Sequence, residues 1–385
     1  MAHLTKPKTY DIEDSNIALL GSDLEKHVRE QGGDTESAWN EAGIKEGLQI
    51  WRIEKFHVKP WSPKSYGSFY DGDSYIVLHT FKKTLEAESF SYDAHFWLGQ
   101  NTSQDEAGTA AYKTVELDDH LHGKPVQWRE VQGYESPRFL SYFPRFVCLR
   151  GGVSTGFHHV TELPPEDIKK LYRVNLSRLT GGKSHLVVRE VPAEAESLVE
   201  GDVYVLDKGV EVLQFNTKSS VGQEKFKAAE FARSLVDARQ GRCDLVVHDE
   251  GSTGSFKFLH EFGEDIQLRQ TDLGPLDMAE IHPTLYRISD TSGTLMFDIV
   301  QPPTRASLSS QDAFLLDHSA GASRPAIYVW IGNQASLNEK RMAIQYAQQY
   351  LYDKKMKTDV NRVRVTIPVV KMVEGQETAD FLEAI

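Results

Sequence analysis

The sequence has no long apolar run and very little cysteine. It contains no stretch of 18 apolar residues among its 385, so we expect no membrane-spanning helix. Its first residues lack the hydrophobic region that a secretory leader needs, which predicts a cytoplasmic protein. The two cysteines, Cys148 and Cys243, have apolar neighbours and are expected to be buried thiols in a reducing compartment, with a single disulfide as the alternative.

Positive charge is also scarce. The chain has 43 Lys and Arg residues against 56 Asp and Glu residues, a formal net charge of -13. This balance argues against broad nucleic-acid binding and leaves an acidic surface that is able to recruit divalent cations. The sequence also lacks a P-loop, a G-x-G-x-x-G turn before a helix and a nucleophile elbow with Ser-His-Asp order, so an enzyme is not indicated.

One basic concentration interrupts the acidic background. It begins at Lys169, Lys170 and Arg173 and continues to Arg189. Such a cluster would meet phosphoinositide head groups or an acidic protein surface. The equally favoured alternative is a solvated sheet edge that is protected from aggregation by its charge.

Three segments of the chain repeat one order of elements. Each opens with a strand that alternates apolar and polar residues as a half-buried strand does: Ile50-Trp51-Arg52-Ile53, Leu171-Tyr172-Arg173-Val174 and Leu285-Tyr286-Arg287-Ile288. An aspartate directly before an aromatic-apolar strand comes next, then a third strand, and then a long helix with a glutamate at its start. The period of about 110–130 residues is that of a domain rather than of a solenoid unit.

These repeats predict an α+β protein of three tandem domains, each a mixed β-sheet of about five strands between a long and a short helix. Glycine and proline clusters mark the joints, which gives an N-terminal extension at 1–44 and domains at 45–160, 161–275 and 276–385. The last strands of the three domains are expected at 146–149, 256–259 and 364–367.

The recurring aspartate and glutamate form three candidate pairs: Asp73 with Glu106, Asp202 with Glu224, and Asp312 with Glu339. We find no lysine or arginine recurring beside these aspartates, and paired carboxylates without a fixed cation indicate a missing one. Carboxylates with a backbone carbonyl suit Ca²⁺, and that carbonyl would come from Gly72, Gly201 and Gln311. The alternative is structural, because helix capping explains the glutamates and turns explain the aspartates.

A helix between Ser103 and Leu121 is the most informative stretch. Ser103 and Glu106 form a capping box that predicts where the helix starts. Its C-terminal end carries Asp118 and Asp119, which oppose the helix dipole and so indicate a functional position. The alternative is a surface helix with a solvated acidic end. Small and mildly apolar residues lie on neighbouring faces of this helix: Ala107, Ala111, Thr114, Val115, Asp118 and Leu121.

The repeated strand–Asp–strand–helix unit resembles the gelsolin-like domain. With three repeats, the chain is similar to the severin and fragmin branch of the gelsolin/villin family, and its N-terminal residues 11–25 resemble fragmin most. The motifs that are most specific for the family's first domain are Phe96-Trp97-Leu98-Gly99, Ser103-Gln104-Asp105-Glu106, Leu117-Asp118-Asp119 and the segment from Arg129 to Ser136.

This resemblance implies a cytoplasmic, cytoskeleton-associated protein that severs actin filaments in a Ca²⁺-dependent way, caps their barbed ends and promotes nucleation. The first domain would bind the actin monomer and barbed end through the residues of the helix named above, with Phe157 in a linker that runs along actin. The second domain would bind the filament side. The alternatives are a Ca²⁺-dependent capping protein that does not sever and a phosphoinositide-binding peripheral protein.

The resemblance also implies the ligands of several Ca²⁺ ions. One ion would be shared with a carboxylate of actin, and the others would lie inside the domains. The matching positions are Gly72, Asp73, Glu106 and Val153 in the first repeat, Gly201, Asp202, Glu224 and Asp272 in the second, Gln311, Asp312 and Glu339 in the third, and Asp118, Gly123 and Pro125 for the shared ion.

Overall fold

The structure is a computed structural model that describes residues 36–84, 86–153, 168–178, 184–239, 242–264, 266–270, 283–289, 296–319, 325–357 and 367–385. Its helices are α1 Gln104–His120, α2 Pro137–Leu140, α3 Gly222–Ala238, α4 Ser255–Leu259, α5 Leu337–Lys357 and α6 Ala379–Ala384. Its strands are β1 Gly47–Glu54, β2 His57–Pro60, β3 Ser68–Tyr70, β4 Ser74–Phe81, β5 Ser91–Leu98, β6 Val126–Val131, β7 Arg145–Leu149, β8 Lys170–Arg178, β9 Ser184–Val191, β10 Val203–Asp207, β11 Glu211–Asn216, β12 Asp244–Asp249, β13 Thr284–Ser289, β14 Met296–Val300, β15 Ala313–His318, β16 Ala326–Ile331 and β17 Val369–Val373.

The chain forms two compact units, each with its own sheet. The first unit contains residues 73–136 and 277–385 together with the N-terminal part up to residue 63, and the second contains 64–72 and 137–276. The sheet of the first unit has ten strands in the order β14-β13-β15-β16-β17-β6-β5-β4-β1-β2. The sheet of the second unit has seven, in the order β12-β11-β10-β8-β9-β7-β3.

The same four-strand arrangement occurs three times. In each repeat the first strand pairs antiparallel with the strand that follows the aspartate, which pairs antiparallel with the third strand. The third strand pairs parallel with the strand that follows the long helix. The sets are β1-β4-β5-β6, β8-β10-β11-β12 and β13-β15-β16-β17. The three predicted repeats are therefore present as three copies of one fold.

The prediction for the last strands needs correction. Residues 256–259 are not a strand but lie in α4, where Phe258 stacks on Phe215 at 4.6 Å. Only one face of this helix covers the sheet, because Phe258 and Leu259 pack into the core while Phe256, two positions before Phe258, is 61% exposed. Residues 146–149 do form a strand, β7, but it joins the sheet of the second unit. Residues 364–366 lie outside the described residues.

Each long helix covers one face of a sheet with small and aliphatic side chains. The helix α1 packs Ala107, Ala110 and Leu117 into the same core as Ile76 and Phe96 of the first repeat. Small residues on the packed face allow a close approach between helix and sheet, so these side chains serve the chain's own core.

The other two long helices follow the same plan. The helix α5 buries Ala343 and Ala347 beside Val329, and α3 buries Ala228 and Phe231 beside Val205. Burial of this apolar surface is the main force that holds each helix on its sheet.

The first and third repeats share one continuous sheet. The strands β6 and β17 pair antiparallel, with Val369 opposite Arg129, Val370 opposite Trp128 and Lys371 opposite Gln127. We call this junction the β6–β17 seam. It joins residues that are more than 200 positions apart in the sequence, and it positions the end of α1 next to the third repeat.

The described part of the expected N-terminal extension belongs to the fold. Trp39 is 2% exposed and contacts Trp51 edge to face at 5.1 Å, while Glu36 forms an ion pair with Lys113 at 3.1 Å. Residues 36–44 are thus a structural part of the first repeat, and residues 1–35 lie outside the described residues. Cys148 and Cys243 are buried free thiols, as predicted. Among the described residues, no helix combines the length and the apolar character needed to cross a membrane.

A glycine fixes the turn that ends β16. The backbone N–H of Gly332 donates to the carbonyl of Asp312 at 3.0 Å, and a Cβ at this position would lie 2.2 Å from the carbonyl oxygen of Ser310. The variant Gly332→Ala should therefore lose about 1–3 kcal/mol of unfolding free energy, because the backbone of residue 310 has to move. Urea unfolding measures this loss. The control is Gly222→Ala, whose new Cβ meets nothing within 4 Å at the start of α3, and equal stability of the two variants would contradict the packing argument.

Candidate functional site

One backbone hydrogen bond fixes the recurring aspartate in all three repeats. The carbonyl of Asp73 accepts from the N–H of Gly99 at 3.0 Å, and that of Asp312 accepts from Gly332 at the same distance. The carbonyl of Asp202 accepts from the N–H of Thr217 at 3.4 Å and from its hydroxyl at 2.6 Å. In each repeat, the aspartate is therefore held at the start of a central strand, next to the end of the neighbouring strand.

In the first repeat, the predicted pair consists of two buried carboxylates. Asp73 is fully buried and Glu106 is 5% exposed. Ser103 Oγ accepts from the N–H of Glu106 at 3.2 Å, as the predicted helix cap requires, and the hydroxyl of Thr102 donates to Glu106 Oε2 at 3.4 Å. Burial raises the pKa of Glu106, and the nearby charge of Asp73 raises it further. The charge of Asp73 therefore acts on Glu106, and the pair as a calcium site stays a prediction.

The second repeat places its pair in the same way. Asp202 and Glu224 are 9% and 7% exposed. Burial raises the pKa of Asp202, with Glu224 adding to the shift and Arg173 opposing it. Glu224 caps α3 by accepting from the N–H of Val221 at 3.1 Å, and it also accepts from the N–H of Leu176 at 3.2 Å. Capping and closeness to Asp202 thus occur together.

The remaining predicted ligands divide between described and undescribed positions. Gly72 and Val153 belong to the second unit, where the N–H of Gly72 donates to the carbonyl of Gly151 at 2.7 Å. Gly201 has a φ of +96° that favours glycine. Asp312 lies at the start of β15 with Gln311 before it, and Glu339 lies in α5. The side chain of Glu339 and the whole of Asp272 lie outside the described residues.

The expectation that no lysine or arginine recurs beside the aspartates is wrong, because an arginine contacts the aspartate in the first and second repeats. Arg52 Nη1 lies 3.4 Å from Asp73 Oδ2, and Arg173 Nε donates to Asp202 Oδ2 at 2.6 Å. The sequence does contain an arginine at the same place in each repeated first strand. In the structure, each arginine lies opposite the aromatic residue two positions after the aspartate: Arg52 with Tyr75, Arg173 with Tyr204 and Arg287 with Phe314. The strand register, which the sequence does not state, brings the two charges together.

The carboxylates fit a calcium ion in their chemistry. Buried oxygen ligands with backbone carbonyls close by are what Ca²⁺ takes, and the mutual repulsion of Asp73 and Glu106 favours a divalent cation between them. Among the described residues, no three His, Cys, Asp or Glu side chains cluster as a complete metal site. The pairs would therefore need backbone oxygens for the rest of a coordination shell.

The helix α1 does not present its predicted face freely. Ala107, Thr114 and Leu121 are buried in the first unit, and Ala111 and Val115 are half-buried. The first three side chains therefore serve the chain's own packing in this conformation rather than an exposed partner surface. Phe157, predicted in the adjoining linker, lies outside the described residues.

The acidic end of α1 is solvated only in part, since Asp119 is exposed and Asp118 is buried. Asp118 is 7% exposed, and Lys371 Nζ donates to its Oδ2 at 3.2 Å. Burial raises the pKa of Asp118, and the charge of Lys371 opposes that shift. Lys371 itself is 5% exposed and lies opposite Gln127 in the β6–β17 seam. The carboxylate predicted to share a metal with a partner is thus neutralised by the third repeat.

The loop after Asp118 contains Gly123 and Pro125, whose carbonyls were predicted to hold the shared ion together with Asp118. The N–H of Gly123 donates to the carbonyl of Asp118 at 2.9 Å, and Gly123 has a φ of +70°. Pro125 follows as a buried residue directly before β6. This tight turn brings the predicted shared ligands onto one short stretch of backbone.

Most residues of the predicted phosphoinositide-binding cluster contact other groups of the second unit. Lys169 donates to the carbonyl of Glu261 at 2.7 Å and lies over the ring of Phe262. Arg173 is bound to Asp202, and Lys170 is half-buried in the first position of β8. Two of the three cations thus already have partners within the second unit, which weakens this alternative.

Comparisons with known proteins agree with the repeated architecture. A family model described as Gelsolin repeat matches residues 55–140, 184–256 and 299–382. The chain belongs to the gelsolin family. Its three gelsolin repeats confirm the α+β prediction of three tandem domains of this type, and the family comprises actin-binding regulatory proteins rather than enzymes.

Several relatives match over nearly their whole length. This gelsolin-family chain is 38% identical to "Gelsolin-like protein 2" of Lumbricus terrestris over 100% of both chains. It is 36% identical to "Severin" of Echinococcus granulosus, over 91% of this chain and 92% of that protein. It is also 37% identical to "Actin depolymerising venom protein gelsolin 1" of Platymeris rhadamanthus over 89% of each.

The buried ion pair at the seam predicts a pH-dependent defect. In Lys371→Met, Asp118 is left buried without its cation, which should cost about 3–5 kcal/mol of stability. Because the lone carboxyl escapes this cost by taking up a proton, the loss is largest above the folded-state pKa of Asp118 and shrinks as the pH falls through it. Thermal unfolding across pH measures the effect. The double variant Asp118→Asn/Lys371→Met should recover most of the loss, and a pH-independent defect would contradict the account.

The carboxylate pair of the first repeat predicts a stabilising substitution. Since the pKa of Glu106 is raised, its charged form weakens the fold at pH values above that pKa. Without Ca²⁺, Glu106→Gln should therefore raise the melting temperature at pH 7 to 8, and the gain should disappear as the pH falls and Glu106 becomes protonated. Scanning calorimetry in chelator tests this, with the exposed Glu46→Gln as the control. A lower melting temperature at neutral pH would show that the charged form of Glu106 does not destabilise the fold.

Proposed function

We propose that this protein is a Ca²⁺-activated regulator of actin filaments that severs them, caps their barbed ends and promotes nucleation. Its membership in the gelsolin family supports actin binding in general. Two relatives that match this chain over nearly its full length are named severin and an actin-depolymerising venom protein. Their names support severing and filament loss as the specific activities. The activity would belong to the cytoplasm, where actin filaments are found.

The observation that carries the proposal is the engagement of α1 within the first unit. Asp118, the proposed ligand for an ion shared with actin, is bound to Lys371 of the third repeat. Ala107 and Thr114, which belong to the proposed actin-contact face, are buried. A protein that used this helix for binding would need to open the β6–β17 seam first, so the arrangement is that of an inactive form.

The paired carboxylates supply a means of opening it. Asp73 with Glu106, and Asp202 with Glu224, would hold the ions together with carbonyls of Gly72, Gly201 and Val153. A bound Ca²⁺ would supply the positive charge that relieves the repulsion within each pair. In this proposal the open form binds Ca²⁺ more tightly than the closed form. Added Ca²⁺ would therefore raise the population of the open form.

The three repeats would then divide the work. The first, at 45–160, would bind the actin monomer and the barbed end through α1. The second, at 161–275, would dock on the filament side, and the third, at 276–385, would control access to Asp118. Two acidic proteins repel each other, so an ion shared between Asp118, the carbonyls of Gly123 and Pro125 and a carboxylate of actin would offset that repulsion.

Direct imaging of labelled actin filaments tests the proposal. The protein should break filaments with Ca²⁺ and leave them intact in chelator. The variants Asp73→Asn and Glu106→Gln should move the Ca²⁺ midpoint of severing to higher concentration, because each removes one ligand charge. Blocked elongation without breaks would favour a capping protein, and breaks in both conditions would remove the Ca²⁺ switch.

A further inference from the structure

Two of the proposed calcium sites already contain a cation from the chain itself. Arg52 in the first repeat and Arg173 in the second come from the first strand of the repeat and contact the aspartate. We call these two residues the resident arginines. They lie in different units and share the same strand register, so the arrangement occurs in two of the three repeats.

The contact is closest in the second repeat. Arg173 uses both Nε and Nη2 on the single oxygen Oδ2 of Asp202, and its Nε donates at 2.6 Å. The Arg173 side chain is 35% exposed, whereas that of Asp202 is 12% exposed. Arg173 opposes the burial-driven rise in the pKa of Asp202, while Glu224 adds to it. The arginine therefore supplies the positive charge that this carboxylate pair lacks.

The contact in the first repeat is looser and shared. Arg52 Nη1 lies 3.4 Å from Asp73 Oδ2, while its Nε donates to Glu54 at 2.8 Å. The guanidinium also lies over the ring of Trp61 at 4.9 Å. Asp73 thus holds only one edge of a guanidinium whose main partner is Glu54. A ligand that competes for Asp73 meets less resistance here than at Asp202.

The third repeat offers a matched comparison. Arg287 has the same register position, opposite Phe314, but its described ion pair is with Asp298 at 3.7 Å. Both side chains of that pair are about half exposed. The same residue type in the same place therefore exists both with and without a described contact to the candidate site.

We propose that the resident arginines are built-in competitors of Ca²⁺, which set how much free Ca²⁺ each site needs. This inference rests on the calcium sites of the proposed function and adds the residues that tune them. Arg173 and a bound Ca²⁺ require the same oxygen of Asp202, and two cations at one carboxylate repel each other. Binding therefore exchanges one cation for another, and its free energy is reduced by the strength of the arginine contact.

The competition makes the two sites unequal. The contact of Arg173 is close and uses two nitrogens, so the second repeat should need more Ca²⁺ than its carboxylates alone would require. The contact of Arg52 is longer and divided with Glu54, so its effect should be smaller. A partly exposed ion pair is weak, which limits the expected change to roughly three- to tenfold in affinity at the second site.

The test is calcium titration of the full-length protein by isothermal calorimetry at neutral pH. Arg173→Gln keeps hydrogen-bonding capacity but removes the charge, and it should bind Ca²⁺ roughly three- to tenfold more tightly at the site that Asp202→Asn abolishes. Arg173→Lys restores the charge and should return the affinity to within about twofold of the wild type. Arg52→Gln should give a smaller gain, and Arg287→Gln should leave both sites unchanged.

A second readout is independent of calorimetry. Arg173→Gln should lower the melting temperature in chelator and enlarge its rise on adding Ca²⁺, because tighter binding stabilises the folded form more. If that variant fails to fold, Arg52→Gln tests the same idea in the other unit.

The outcomes separate this inference from the proposed function. Unchanged or weaker Ca²⁺ binding in both glutamine variants would overturn the inference, since the arginines would then be neutral or would help to orient the aspartates. Severing that still depends on Ca²⁺ would leave the proposed function in place. A wild-type protein that binds no Ca²⁺ would overturn both.

Discussion

Buried negative charge is the constraint on which the structure depends. Asp73, Glu106, Asp118, Asp202 and Glu224 are all less than 10% exposed, and carboxylates in such places need a positive charge or a proton. The chain supplies cations from outside the local segment: an arginine from the neighbouring strand in two repeats and a lysine from another repeat at the end of α1. The fold therefore offsets only part of its buried negative charge, because each carboxylate pair of the first two repeats has one arginine at most.

This partial neutralisation leaves the carboxylates open to exchange of one cation for another. A divalent cation that binds a carboxylate pair more strongly than an arginine does would release the arginine from its aspartate. At the end of α1 the same logic applies between repeats, because Lys371 neutralises Asp118 only while β17 stays paired with β6. Separation of these strands would free a carboxylate and a helix together, which links the charge of the site to the arrangement of the repeats.

Local patterns were enough to predict the repeats. The alternation of apolar residues in the strands, the cap at Ser103 and the aspartate before each central strand depend on near neighbours, and the structure has them where they were expected. The strand expected at 256–259 was wrong because its apolar alternation is not used: Phe258 alone packs on Phe215 from a short helix, and Phe256 is exposed. The arginine contacts were missed because the register of an antiparallel pair sets them.

The ion pair of Asp118 and Lys371 was beyond prediction from the sequence for a different reason. Its partners are 253 positions apart, and neither residue alone shows that two repeats share one sheet. From the local sequence, a lysine in β17 is expected to be exposed, and an acidic helix end is expected to be solvated. Their burial follows from the pairing of β6 with β17, which no local pattern specifies.

The most direct test of this account is hydrogen exchange of the backbone amides in β6 and β17, with and without Ca²⁺. In chelator, the amides that pair Lys371 with Gln127 and Val369 with Arg129 should be protected. Saturating Ca²⁺ should remove that protection, while the central strands β4 and β5 stay protected. Protection of the seam that persists at Ca²⁺ concentrations where filaments are severed would contradict the account, because α1 would then act without leaving the third repeat.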